Sequence, residues 1–99
     1  MNNGAMGYAK VYSCFDSKAE TWLDPFVLIN RASALRMIED LCNDSKTLFF
    51  RYPDDFTFFE IGEWNSVKGE IVMFETRVSL GLALEFKRKS EMTVPSVER

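Results

Sequence analysis

The stretch Phe56-Thr57-Phe58-Phe59-Glu60-Ile61-Gly62-Glu63-Trp64, followed by Asn65-Ser66-Val67-Lys68-Gly69 and Glu70-Ile71-Val72-Met73-Phe74-Glu75, decides the fold. The first run is rich in aromatic and β-branched residues and reads as a strand. Phe56 and Phe58 alternate with Phe59 and Ile61, so apolar side chains point both ways and burial on both faces is expected. Asn65 to Gly69 carries hairpin-loop chemistry. Residues 70–75 return with the same two-sided apolar character. A long antiparallel hairpin therefore forms the spine of the domain.

Upstream, residues 7–15 read as a further strand. Tyr8, Lys10, Tyr12 and Cys14 fall on one face, with Ala9, Val11, Ser13 and Phe15 on the other. Asp16-Ser17-Lys18 is turn chemistry. Residues 19–23 either pair back or stay irregular. Asp24-Pro25 fixes an extended approach, since a residue before proline is pushed out of the helical region. Phe26 to Ile29 is a short buried strand. Asn30 is a good N-cap for one clear helix over residues 31–42. Its apolar face is Ala34, Leu35, Ile38, Leu41 and Cys42, at spacings of three and four. Arg31 sits toward that apolar side, placed to reach a carboxylate or a partner. Residues 48–52 are short and apolar around Arg51, and Pro53-Asp54-Asp55 is a turn. Residues 78–84 form one helical turn or a last strand.

The fold class is α+β: a small, mainly antiparallel sheet of four to five strands with one principal helix on one face. Ninety-nine residues make one domain. Its expected limits are residues 7–86, with a disordered extension over 1–6 and a charged tail over 87–99. Met6 is an alternative start.

The chain has no histidine, which removes the commonest general base and the usual zinc ligand. Its glycines are isolated, without a phosphate-binding pattern. Asp54-Asp55 reads as a turn rather than a carboxylate pair. No enzyme activity, metal or cofactor is expected. Cys14 and Cys42 lack metal spacing and read as reduced structural thiols. No run of about 18 apolar residues exists to span a membrane. The N-terminus lacks a basic start with an apolar run, so a cytoplasmic location is expected.

Nine Phe, two Trp and three Tyr are many rings for one small core. Any excess would serve an interface between copies or a platform for bases. Net charge is −3, so positive charge must be concentrated locally if nucleic acid is bound. Tyr8, Lys10 and Tyr12 set two rings and a cation on one strand face, a pattern suited to unpaired bases. Lys18, Arg51 and the triplet Lys87, Arg88 and Lys89 would add phosphate contacts. Strands apolar on both sides, with a single helical layer to cover them, also imply a homodimer.

An ordered set of short motifs carries a resemblance. It runs Tyr12 with Asp16-Ser17-Lys18-Ala19, Pro25-Phe26, Ala34-Leu35-Arg36, Asn43-Asp44, Pro53-Asp54-Asp55-Phe56, Gly62-Glu63-Trp64 and Gly69-Glu70-Ile71. Over about residues 8–84 the chain resembles the small nonstructural proteins of gokushovirus-type microviruses, bacteriophages with single-stranded DNA genomes. The resemblance implies binding of single-stranded DNA in genome replication, or in the switch to single-strand synthesis, in the cytoplasm of the infected bacterium. The alternative is an interaction module that contacts the phage replication initiator, a capsid component or a host factor without touching DNA.

Overall fold

The computed structural model describes residues 8–88. The extension over 1–6, most of the expected tail and Lys89 lie outside the described residues. In chain order the elements are β1 (Tyr8–Asp16), β2 (Thr21–Trp22), β3 (Phe26–Leu28), α1 (Arg31–Cys42), α2 (Leu48–Arg51), β4 (Phe56–Asn65), β5 (Glu70–Leu82) and a 3₁₀ turn (Ala83–Phe86). Five antiparallel strands form one sheet, ordered β2-β1-β4-β5, with β3 beside β2 on the outer edge of β1. With one principal helix on one face, the α+β expectation holds.

Local chemistry explains the boundaries. The Asp16 carboxylate accepts from the amides of Lys18 and Ala19, turning the chain so that Phe15 pairs with Trp22. Asn30 caps α1 by accepting from the Ser33 amide at 2.9 Å. Thr47 caps the single turn of α2 by accepting from the Phe50 amide. At the tip of the β4–β5 hairpin, Asn65 Oδ1 accepts from Val67 and Lys68. Gly69 closes that tip at φ +70°, a conformation that favours glycine.

The core lies between the sheet and the helical layer. Cys14, Ile38, Cys42, Phe56, Phe58 and Ala83 are buried together, with Leu23, Phe26, Phe49, Leu80 and Phe86 packed around them. The rings of Phe49 and Phe56 meet edge to face at 4.9 Å, and Phe58 touches Phe49 and Phe86. Of the apolar face expected for α1, Ala34, Ile38 and Cys42 are fully buried and Leu35 and Leu41 partly so.

Both core thiols are shielded from water. Burial pushes the Cys14 thiol up to about 12 and the Cys42 thiol up to about 11. Burial, with Glu60 close by, also raises the Tyr12 phenol to about 12. These groups ionise first in the unfolded chain, near pH 9 for the thiols and 10 for the phenol. Their contribution is therefore complete below pH 9 and is lost as pH rises through 9 to 12. We expect chemical-denaturation midpoints to be flat from pH 7 to about 8.5 and to fall steeply above pH 9. A thiol reagent at neutral pH should modify neither cysteine in the native protein and both after unfolding.

Two expectations for β5 need correction. The strand does not end at Glu75 but continues to Leu82, and the 3₁₀ turn follows it. Thr76 and Arg77 interrupt the apolar pattern between residues 70–75 and 78–84. The chain instead passes them in a bulge, with only Ile61 of β4 opposite the stretch from Phe74 to Arg77. Residues 70–75 are not buried on both faces either. Ile71, Val72 and Met73 are exposed in succession, because β5 is an edge strand and no second layer reaches it. Gly62 allows β5 to approach closely here. A Cβ at Gly62 would lie 2.6 Å from the Val72 carbonyl oxygen.

Arg31 finds a carboxylate. Its guanidinium meets Glu60 Oε1 at 2.8 Å, and the Glu60 side chain is only 5% exposed. The pair ties the first turn of α1 to the middle of β4. Arg31→Ala strips the counter-charge from a buried carboxylate. The guanidinium is half exposed, so the loss is smaller than for a fully buried pair: about 1–3 kcal/mol by chemical denaturation. Glu60→Gln in the Arg31→Ala background should recover part of it.

Candidate nucleic-acid interface

Cross-strand partners share a face of a sheet, so the pairing register assigns every side chain. Cys14 opposes Phe58, and both sit under α1. Tyr12 opposes Glu60, Lys10 opposes Glu63, and Tyr8 opposes Asn65. Tyr8, Lys10 and Tyr12 therefore do share a face, as their alternation implies, but it is the face that carries the helix.

The consequence for the expected stacking pair is direct. Tyr12 is fully buried and stacks on Phe26 at 5.6 Å between ring centres. Its hydroxyl has no hydrogen-bond partner in the described structure. No base can reach it, and its role is in the core. Lys10 is neutralised by Glu63, with Nζ 2.7 Å from Oε2, and also faces the Phe74 ring. Tyr8 is exposed and meets the Asn65 side chain through its hydroxyl at 3.4 Å. Tyr12→Phe should retain or slightly raise stability, by up to about 1 kcal/mol, because it removes a buried unpaired hydroxyl.

The other expected cations are scattered. Lys18 borders a cleft of about 470 Å³ that it shares with Asp16, Asp55, Leu48 and Tyr52, an acidic rather than phosphate-seeking setting. Arg51 is exposed at the end of α2. Lys87 lies 3.7 Å from the centre of the Phe50 ring and donates to the Phe50 carbonyl. Arg88 reaches Glu39 and Asp40, and its amide donates to Asn43 Oδ1. These two residues are thus fixed against the helical layer rather than starting a loose tail. Lys87 packs on Phe50, the neighbour of Arg51 in α2, and Lys18 shares a cleft with Leu48 and Tyr52 at the two ends of α2, whereas Lys10 is held by Glu63.

The opposite face of the sheet has no helix on it, and it carries a set of rings that the alternation alone did not single out. Trp22 and Phe15 face each other across β2 and β1 with ring centres 5.2 Å apart. Trp22 also meets Phe59 of β4 at 5.1 Å. The Arg77 guanidinium, from the β5 bulge, lies over the Trp22 ring at 4.8 Å. Trp22 is 39% exposed, and Phe15 and Phe59 are partly exposed. Thr57 and Ser79 sit in the same rows. Three contiguous rings with a planar cation thus lie on the helix-free face, with Trp22 exposed and Phe15 and Phe59 partly so. The one available signal was Phe15 on the face opposite Tyr12. Trp22, Phe59 and Arg77 join it only through the fold.

Among the described residues, no group of three or more histidine, cysteine or acidic residues could hold a metal ion. No helix among them is long and apolar enough to cross a membrane.

The architecture is thus a helix-backed antiparallel sheet with one aromatic face left uncovered. The chain belongs to the Phage ORF5 protein family, whose model matches residues 9–86. It is 37% identical over 62 residues to Protein ORF5 of Chlamydia phage 1, across 59% of this chain and 65% of that protein. The resemblance to small gokushovirus-type microvirus proteins is thereby borne out. The chain spans just under two thirds of that relative's length. No solved structure matches the chain significantly.

Proposed function

We propose that this phage protein binds single-stranded DNA, without catalysis, on the helix-free face of its sheet. The observation that carries this reading is the cluster of Phe15, Trp22 and Phe59 with Arg77 over the indole. Unpaired bases stack on such rings without regard to sequence, while a guanidinium can stack on a base or meet a phosphate. A duplex hides its base faces and should bind worse. Few cations face this side of the sheet, and the net charge is −3. Affinity should therefore come from stacking more than from counterion release. The activity would serve replication of a single-stranded genome, or the switch to single-strand synthesis, in the cytoplasm of the infected bacterium. We infer a homodimer as the working form, supported by the exposed apolar side chains of β5.

Fluorescence anisotropy with labelled oligonucleotides tests the reading. A single-stranded 30-mer should bind more tightly than its duplex, with a shallow salt slope on the order of 2–4 ions. Absence of binding at about 50 mM salt and tens of micromolar protein would rule it out.

A further inference from the structure

The end of the sheet at the β4–β5 hairpin tip, beside the segment that leads into α1, holds an apolar projection and an apolar cleft side by side. Val67, at the tip of the β4–β5 hairpin, is 81% exposed, more than any other large apolar residue of the described structure. Next to it, a cleft of about 220 Å³ is lined by Tyr8, Ala9, Val27, Leu28, Ile29, Trp64 and Ser66, the last adjoining Val67. Ile29 and Val27 are 63% and 44% exposed, so residues 26–29 are an edge segment and not the buried strand their apolar composition implies. The register extends this patch across the sheet. Val27, Gly62 and Met73 stand in one row, with the fully buried Val11 between Val27 and Gly62, and Ala9, Trp64 and Ile71 stand in the next. Ile71 and Met73 are exposed as well. Exposed apolar side chains this concentrated mark a docking surface.

We propose that the occupant of this surface is the same surface of a second copy, related by a two-fold axis. A projection and a recess on one patch are what an isologous contact requires, since each copy must supply both halves of the fit. Val67 of one copy enters the cleft beside Trp64 and Ile29 of the other, and the reverse contact forms at once. The charges agree with this. Lys68 and Glu70 follow Val67 at the hairpin tip and make no ion pair among the described residues. Across the two-fold axis, Lys68 of each copy meets Glu70 of the other. The proposal rests on the dimer reading above and gives it a contact surface. Phe59 and Trp22 lie on the same helix-free face, one and two rows beyond Val11, Gly62 and Met73, and stay outside the contact in both copies.

Sedimentation equilibrium of the full chain over a range of concentrations tests it, with circular dichroism to verify folding. The unaltered protein should sediment at twice its 11.5 kDa chain mass. Val67→Asp should dissociate it at least tenfold more readily while leaving the fold intact, because Val67 is 81% exposed in the single chain. Lys68→Glu should also weaken the dimer, and Lys68→Glu combined with Glu70→Lys should restore it. A monomer at about 100 µM would overturn both this surface and the dimer reading. A dimer indifferent to Val67→Asp and to the charge exchange would overturn the surface alone. Neither result bears on the DNA reading, which anisotropy tests separately.

Discussion

Trp22→Ala should weaken binding to a single-stranded oligonucleotide by roughly 5- to 150-fold, the loss of about 1–3 kcal/mol of stacking. The indole is the centre of the exposed cluster, touching Phe15 on one side and Phe59 on the other, and it carries Arg77 on its face. It lies outside the buried core cluster, so the thermal midpoint should fall by only a few degrees. Arg77→Ala should reduce affinity less and flatten the salt slope by about one ion. Tyr8→Ala should leave affinity nearly unchanged, since Tyr8 stands on the helix-bearing side. Equal losses from Tyr8→Ala and Trp22→Ala would assign binding to the wrong face.

Phe58→Ala should be the most damaging single change to stability. The ring is 1% exposed and locked between Phe49 and Phe86, at the point where β4 meets the helical layer. Deleting a buried phenyl group costs about 3–5 kcal/mol, because the surrounding side chains close only part of the space. A domain of this size has roughly 5–15 kcal/mol in all, so the variant should be marginal at 37 °C. Its thermal midpoint should drop by roughly 15–30 °C. A loss below about 1 kcal/mol would mean that Phe58 is not at the centre of the core.

Local signals located the elements that local chemistry controls. Asn30 marked the start of α1, and the spacing of Ala34, Ile38 and Cys42 marked its buried stripe. The β4–β5 hairpin was legible because Asn65 to Gly69 interrupts two apolar runs. The one turn of α2 was not, since four residues are too few to show a helical period. The extent of β5 was obscured because Thr76 and Arg77 look like a strand end, and only its pairing with β4 reveals a bulge.

The candidate site shows a different limit. Alternation along β1 placed Tyr8, Lys10 and Tyr12 on one side and Phe15 on the other, and both statements hold. Alternation cannot say which side receives the helix. That depends on α1 packing onto Cys14, Phe56 and Phe58, contacts between residues far apart in the chain. The cluster itself joins Phe15, Trp22, Phe59 and Arg77 from four strands. Trp22 lies in a segment whose pairing the sequence left open, so no short motif could mark it.

Photocrosslinking tests the central claim most directly. A single-stranded oligonucleotide carrying a photoreactive base would be irradiated with the protein, and the adducts located by mass spectrometry. Adducts at Trp22, Phe15 or Phe59 that disappear under excess unlabelled single strand are the expected result. Adducts confined to Tyr8 or to the α2 surface around Arg51 and Lys87, or no competable adduct at all, would contradict the assignment of the helix-free face.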